Sequence, residues 1–495
     1  MSNLGLAVSV LKSCAKLGVS EVVLCAGARN APLVEALAKA RGVKTYSFFE
    51  ERSAAFFALG RIQALGRPVA VVTTSGTAVA ELLPAAVEAF YQGLPLILVT
   101  ADRPRSHRGS GSPQTIEQPG IFSSYVERLW DIEGAFSGDF EASGRAPLHV
   151  NVSFTEPLLD EPVFAWDWPV LKTSRPISPR DISETLVKQR RPLVIVGGLP
   201  REESEKVLSL LKIWQRPTYL ESCSQIRGLW PDALRVPEFD GLEFDSVVHI
   251  GAVPTLRFWR DLENSSVPVY HFSHLPFSGL PRSRAVWPLE ALRDFKFDPW
   301  EPDERLSLRA RKLDELLDRY PKSEPGWVRW LSAQMPEGAR LFLGNSLPIR
   351  EWDFAALPSG HFAVSANRGV NGIDGLISTF LGFAEPQKSN WALLGDLSAL
   401  YDLSGPWALR ERPLAETNIV IINNGGGKIF QRIFNNPMFE NRHQLHFEHW
   451  SKMWELNYLR LDQPISLDVA KTPRVIEIIP DESSTEKFWQ EWENK

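Results

Sequence analysis

The sequence predicts an α/β protein made of three doubly wound parallel-sheet domains. Short runs that are apolar on both faces recur along the chain and alternate with helical patterns, as strands of a sheet covered on both sides do. Two Pro-rich stretches, 155–179 and 273–326, divide those runs into three groups. The length of 495 residues suits about three domains of ordinary size.

The first group opens with an amphipathic helical pattern, "NLGLAVSVLKSCAKLG", with Leu4, Val8, Leu11 and Ala15 on one face. Strands are expected at "EVVLC" (21–25), "TYSFF" (45–49), "VAVVT" (69–73), "LILVT" (96–100) and "LHVNV" (148–152), with helices over 31–40, 53–65 and 77–92. The middle group repeats the pattern with "LVIVGG" (193–198), "SVVHIGA" (246–252) and "VPVYHF" (267–272). Its "GGLP" lacks the GxGxxG of a dinucleotide fingerprint and reads as a strand-to-helix turn. One helix, 303–319, is expected inside the second connection. The last group has "RLFLG" (340–344), "HFAVS" (361–365), "WALLG" (391–395), "NIVIIN" (418–423) and "RVIEII" (474–479).

Composition narrows the function. Hydrophobic residues make up 44% and charged residues 23%, with a net charge of −6. These values fit a soluble globular protein and argue against a general binder of nucleic acid or anionic membrane. Cys14, Cys25 and Cys223 form no close pair and no CxxC, as expected of reduced thiols in a cytoplasmic protein. The N-terminus lacks the basic start and apolar block of a signal peptide. The most apolar stretch, 69–91, is broken by "TTSGT", Glu81, Pro84 and Glu88, so no membrane span is expected.

The chemistry is concentrated at the strand ends, where open α/β sheets bind ligands. Two neighbouring strands of the last group end in Gly395-Asp396 and Asn423-Asn424-Gly425-Gly426-Gly427. A carboxylate, an amide oxygen and a backbone carbonyl are three hard oxygen ligands, suited to Mg²⁺ that also binds phosphate oxygens. The glycines allow close backbone approach to a phosphate, and a helix starting near Lys428 would aim its N–H groups there. A Walker loop is excluded by Ile422 and Ile429 at its required Gly and Ser/Thr positions. His446 and His449 form an HxxH pair with no third ligand, a weak zinc signal.

The paired GD and NN segments resemble the diphosphate–magnesium signature of thiamine-diphosphate enzymes. The further segments "FFEERSAAFFALG", "TSGTAVAELLPAAVEAF", "LILVTADRP", "QTIEQPGIF", "GNSLPIREWD", "ANRGVNGIDGLISTFLG" and "LHFEHWSKMWEL" follow in family order. Together they are similar to the 2-succinyl-5-enolpyruvyl-6-hydroxy-3-cyclohexene-1-carboxylate synthases of menaquinone or phylloquinone biosynthesis, closely at both ends of the chain and loosely in the middle. The resemblance implies a thiamine-diphosphate-binding fold, with a pyrimidine-binding domain over 1–165, a central Rossmann-like domain over 176–275 and a diphosphate-binding domain over 326–495. It implies a transferase that decarboxylates 2-oxoglutarate and adds the succinyl-semialdehyde carbanion equivalent to isochorismate. Thiamine diphosphate and Mg²⁺ or Mn²⁺ are the implied cofactors. A homodimer or homotetramer is implied, with Glu51 of one chain meeting Asp396 and Asn424 of another.

Carried over residue by residue, the resemblance makes Glu51 the catalytic carboxyl beside the aminopyrimidine and places Ser75, Gly76 and Thr77 along that ring. It gives Asp396, Asn424 and Gly426 the metal, Leu397 and Ser398 the diphosphate region, and Ile429 and Phe430 a wall by the thiazolium. Arg29, Arg103, Gln114, Asn367 and Arg368 match substrate-binding positions. Guanidinium groups pair with carboxylates bidentately, and both substrates are dicarboxylates. The chain departs from the family pattern at Ala28 and Asn30, where serines are usual, and at Gly425, where a third Asn is common. Phe258 stands where the middle domain usually offers an arginine, and Arg257, one residue earlier, is the candidate substitute. Two other functions stay open at this point. One is another thiamine-diphosphate 2-oxoacid decarboxylase or carboligase, the other a catalytically silent relative serving as a binding subunit.

Overall fold

The apolar runs form three wholly parallel sheets in a computed structural model of the protein. The model describes all residues except 163, 170–190, 231–232, 237–238, 240–241, 295–296, 298–303, 432–433, 435, 469–471 and 495. Part of the linker expected over 155–179, and the first residue of the helix expected over 303–319, therefore lie outside the described residues.

The first sheet runs Lys44–Phe48, Glu21–Cys25, Val69–Thr73, Leu96–Asp102, Leu148–Ser153, Arg128–Glu133. Its inner strands are buried along their whole length, since helices cover both faces. Sequence patterning misses Arg128–Glu133, an edge strand whose polar residues face outward. The helix expected over 77–92 is two helices, Thr77–Ala80 and Leu83–Gln92, broken ahead of Pro84.

Helix Glu51–Leu65 begins at an N-cap supplied by Glu50, whose carboxylate accepts from the backbone N–H of Arg52 and Ser53 at 3.0 and 3.1 Å. It ends at Gly66 in the left-handed region, φ 66°. Its partner is the apolar helix Leu376–Phe383. The two backbones approach closely at Gly60 and Gly382: a Cβ on Gly60 would meet the Thr379 carbonyl oxygen at 2.0 Å, and one on Gly382 the Phe57 oxygen at 2.2 Å. Buried Arg61 holds the same contact, with a bidentate pair to Glu21 at 2.7 and 2.9 Å and a bond to the Gly382 oxygen at 3.0 Å. These elements belong to one of two compact units, made of Met1–Pro176, Gly369–Pro386 and Leu400–Leu414.

The second unit comprises Ile177–Arg368, Gln387–Ala399 and Ala415–Lys495, and holds the other two sheets. The middle sheet runs Thr218–Leu220, Pro192–Val196, Ser246–Ile250, Val269–Phe272, Val286–Trp287. The last sheet runs Ala363–Ser365, Arg340–Leu343, Asn390–Gly395, Thr417–Ile422, Arg474–Ile478, Asn457–Leu461. Asp353, on helix Leu347–Ala355, ties the two sheets by accepting from the Ser222 N–H at 2.7 Å and from Arg227 at 3.1 Å. No helix among the described residues is long and apolar enough to cross a membrane.

His249 and His271 are register partners on adjacent strands of the middle sheet, fully buried, with Nδ1 atoms 3.5 Å apart. Burial holds both neutral, pushing His249 down to about 3 and His271 to about 4. In an unfolded chain they take protons near pH ~6.5. Below that pH the unfolded state binds more protons than the folded one, so stability falls as pH falls. At pH 5 the expected loss is about 2 kcal/mol per histidine. Urea unfolding of the wild type at pH 7 and pH 5 should show it, and His271→Phe should lose less between the two.

Candidate functional site

Every sequence-predicted site residue except Arg257, Gln114, Ile429 and Phe430 lies at or within a few residues of a strand's carboxyl end. Within the first unit, Glu51 follows strand Lys44–Phe48 by the short segment that carries Glu50. Because Glu50 is spent on the helix cap and on accepting from the Ser404 hydroxyl at 2.8 Å, it leaves Glu51 unengaged by the cap. Glu51 instead accepts a long bond from the Thr73 hydroxyl, at 3.5 Å. Burial, and to a lesser degree the charges of Glu50 and Glu81, raise its carboxyl above the ordinary range. The same surroundings raise the buried Cys25 thiol, burial first and then Glu51 and Glu50.

Ser75, Gly76 and Thr77 follow strand Val69–Thr73. Ser75 Oγ donates to the Gln114 carbonyl at 2.8 Å and the Gln114 amide returns a bond to the Ser75 carbonyl at 3.1 Å. Gly76, at φ 86°, receives the Gln118 side-chain oxygen on its N–H at 3.0 Å, and a Cβ there would meet Gln114 Cγ at 2.9 Å. The glycine is thus required by both backbone angle and space. Arg29 is buried, bonded to the Phe154 carbonyl at 3.3 Å and to Glu156 at 3.1 Å. Half-buried Arg103 donates to the Pro113 carbonyl at 3.2 Å, beside Gln114.

Within the second unit, strand Asn390–Gly395 runs straight into helix Asp396–Tyr401, which carries Leu397 and Ser398 in its first turn. Asp396 Oδ2 accepts the N–H groups of Gly425 and Gly426 at 2.9 and 3.0 Å, and Oδ1 accepts that of Leu397 at 2.6 Å. His443 Nε2 lies 3.3 Å from the same carboxylate. Burial raises the Asp396 carboxyl against the pull of these groups. The glycine loop is held in conformations open to glycine, with φ 80° at Gly425 and 141° at Gly426, where a Cβ would meet the Glu440 oxygen at 2.4 Å. The helix expected from Lys428 is instead a three-residue 3₁₀ turn, Lys428–Phe430. Lys428 itself bonds Glu482 at 2.6 Å. Among the described residues no α-helix starts at that point. Ile429 is half-buried, whereas Phe430 is exposed and stacks on Phe434.

Asn424 Nδ2 donates to Glu324 at 2.9 Å, while its Oδ1 is buried and has no hydrogen-bond partner. A buried, unsatisfied amide oxygen and a buried carboxylate that clasps the same glycine loop are hard oxygen donors of the kind a hard cation takes. The residues present thus fit a magnesium-bound diphosphate. His446 is bonded to Glu477 at 2.8 Å.

Arg368 donates to Asn345 at 2.7 Å, and Asn345 in turn donates to the carbonyl of buried Asn367. Arg368 also lines a cavity with Glu221, Cys223, Ile349 and Asp353. Glu221 there is pushed up to about 7, by burial and then by Asp353. Arg257 is not brought to this group: its side chain is 86% exposed and 3.9 Å from Asp261. Phe258 packs among Phe239 and Phe244.

Two residues escaped the sequence reading. Arg350, in "GNSLPIREWD", keeps an exposed face. Crowding around its guanidinium, then the charges of Arg368 and Arg260, push it below the usual arginine value. Glu221 and Asp353 pull the other way, so the charge around Arg350 is mixed. Its signal was position alone, in the first turns of the helix after a strand. Glu324 gave no local signal, because its partner Asn424 is 100 positions away.

Comparison with known proteins identifies the family. Residues 6–121 match the model of the thiamine pyrophosphate enzyme, N-terminal TPP binding domain. The chain is 45% identical over 526 aligned residues to a 2-succinyl-5-enolpyruvyl-6-hydroxy-3-cyclohexene-1-carboxylate synthase from Bdellovibrio bacteriovorus, covering 100% of this chain and 99% of that protein. Synthases of the same name from Akkermansia muciniphila and Chloroflexus aurantiacus are 37% and 33% identical, covering 97% and 85% of this chain and 97% and 82% of theirs. Likeness of that degree over the whole length places the chain in the 2-succinyl-5-enolpyruvyl-6-hydroxy-3-cyclohexene-1-carboxylate synthase family.

Proposed function

We propose that the protein decarboxylates 2-oxoglutarate and adds the remaining four-carbon unit to isochorismate, forming 2-succinyl-5-enolpyruvyl-6-hydroxy-3-cyclohexene-1-carboxylate for menaquinone or phylloquinone synthesis. The observation that carries this is the clasp of Asp396 on Gly425 and Gly426, with the unsatisfied Asn424 oxygen beside it. Thiamine diphosphate, when bound, supplies the electron sink that decarboxylation needs. Glu51, whose carboxyl is raised by burial, would exchange a proton with the aminopyrimidine. Ser75, Gly76 and Thr77 line that ring, and Leu397, Ser398, Ile429 and Phe430 line the rest of the cofactor.

Asp396, Asn424 and the Gly426 carbonyl would hold Mg²⁺ or Mn²⁺. Arg29, Arg103 and Arg368, with Gln114 and Asn367, bind the substrate carboxylates and hydroxyl, and Arg350 joins them. Arg257 contributes only if its exposed side chain turns toward them. The domains are 1–165, 176–275 and 326–495, doubly wound. The active unit is a homodimer or homotetramer, in which Glu51 of one chain works with Asp396 and Asn424 of another, and the enzyme acts in the cytoplasm.

The test is an assay with thiamine diphosphate, Mg²⁺ and 2-oxoglutarate, with and without isochorismate, following CO₂ release and product mass. Fast turnover only with both substrates, giving the succinyl adduct, is expected. CO₂ release indifferent to isochorismate would make the protein a simple decarboxylase.

A further inference from the structure

We propose that Glu324 is a positioning residue that aims the Asn424 amide oxygen at the metal, which rests on the reading of Asn424 as a ligand. Glu324 opens helix Glu324–Gln334, one residue after the Ser323 cap, and its own N–H donates to Thr485 Oγ1 at 3.1 Å. The side chain is buried, and shares a hydrogen bond with the carboxyl of Glu351 from the neighbouring helix. Held in this way, it has little freedom to follow a ligand, and its Oε1 accepts from Asn424 Nδ2 at 2.9 Å.

An amide is planar, with oxygen and nitrogen on opposite sides of one carbon. Fixing Nδ2 on Glu324 therefore fixes where Oδ1 points. The flipped amide would set its oxygen against a carboxyl oxygen, acceptor on acceptor. The preceding residue shows why the ligand is Asn424. Asn423 Nδ2 is likewise held by a buried glutamate, Glu477, at 2.6 Å, but its Oδ1 is already taken by the Gly425 N–H at 3.3 Å. Asn424 Oδ1 alone of the two stays buried without a partner. An outer-shell group that fixes the orientation of a metal ligand removes the entropy lost on binding.

The test is Mn²⁺ binding to the full chain in the presence of thiamine diphosphate, followed by electron paramagnetic resonance, with thermal unfolding of the metal-free protein as the check on folding. Glu324→Met, which keeps the volume and removes the acceptor, is expected to weaken Mn²⁺ binding about 10–100-fold. Glu324→Gln keeps an acceptor and is expected to bind close to wild type. Should Glu324→Met fail to fold, Glu324→Asp serves instead: it keeps a buried acid but withdraws the acceptor by one methylene, and the same weakening is expected. Wild-type affinity in the folded Met or Asp variant, with Asn424→Ala weakened, overturns the role of Glu324 alone. Wild-type affinity in Asn424→Ala overturns the ligand assignment beneath it.

Discussion

Glu51→Gln is expected to bind thiamine diphosphate nearly as well as the wild type while its kcat falls about 10²–10⁴-fold, the usual contribution of a positioned acid–base group. Glutamine fills the same volume and can still accept from Thr73, 3.5 Å away, so the fold is kept. What disappears is a carboxyl lifted above its ordinary range by burial and by its acidic neighbours. Glu50→Gln is the matched control. That residue caps the helix and meets Ser404, so the expected change is a loss of about 0.5–2 kcal/mol of stability with kcat largely intact. Cofactor affinity from tryptophan fluorescence and kcat from CO₂ release separate the two. Equal losses of kcat at both positions would mean that the carboxyls share the proton, and a near-normal Glu51→Gln rate would remove Glu51 from the chemistry.

Asp396→Ala should abolish metal-dependent cofactor binding, with the dissociation constant for Mn²⁺ raised at least about 100-fold and no measurable turnover. The carboxylate does two things. It offers a charged oxygen to the cation and fastens the glycine loop through two N–H bonds, with a third to Leu397. Without it those donors lose a charged acceptor, and the metal-free protein is expected to be destabilised by about 1–3 kcal/mol. Titration of Mn²⁺ with thiamine diphosphate, beside urea unfolding without either, distinguishes the two losses. Unchanged Mn²⁺ affinity would place the metal elsewhere.

The strands that are buried on both faces were legible because their runs are almost wholly apolar, with polar residues only at one end: Val69–Thr73 and Thr417–Ile422 read as strands at sight and are fully buried. The edge strands Arg128–Glu133 and Asn457–Leu461 were not, since half of each faces outward and its polar residues blur the run. At the site, groups that announce themselves by local pattern were found: Glu51 before Arg52, Asp396 after Gly395, Asn424 before its glycines. Groups whose meaning depends on a distant neighbour were missed. Glu324 reads as an ordinary acidic helix start until Asn424 is beside it, and Arg350 as a helix-surface charge until Arg368 and Arg260 are near. The turn at Lys428 was misread because glycine spacing does not say whether the segment after it forms a helix or a single 3₁₀ turn.

The close approach of Gly60 and Gly382 has a consequence for how the chain is made. The helix that carries Glu51 finishes its packing only when a segment from near the other end arrives, and the Arg61–Gly382 bond closes a loop of 321 positions. During translation at ~5–20 residues per second, that helix therefore waits roughly tens of seconds with one side uncovered. Phe56 and Phe57 lie on that waiting helix. The nascent protein thus carries a helix with one apolar side bare, a natural client for a chaperone until the segment that holds Gly382 has been made.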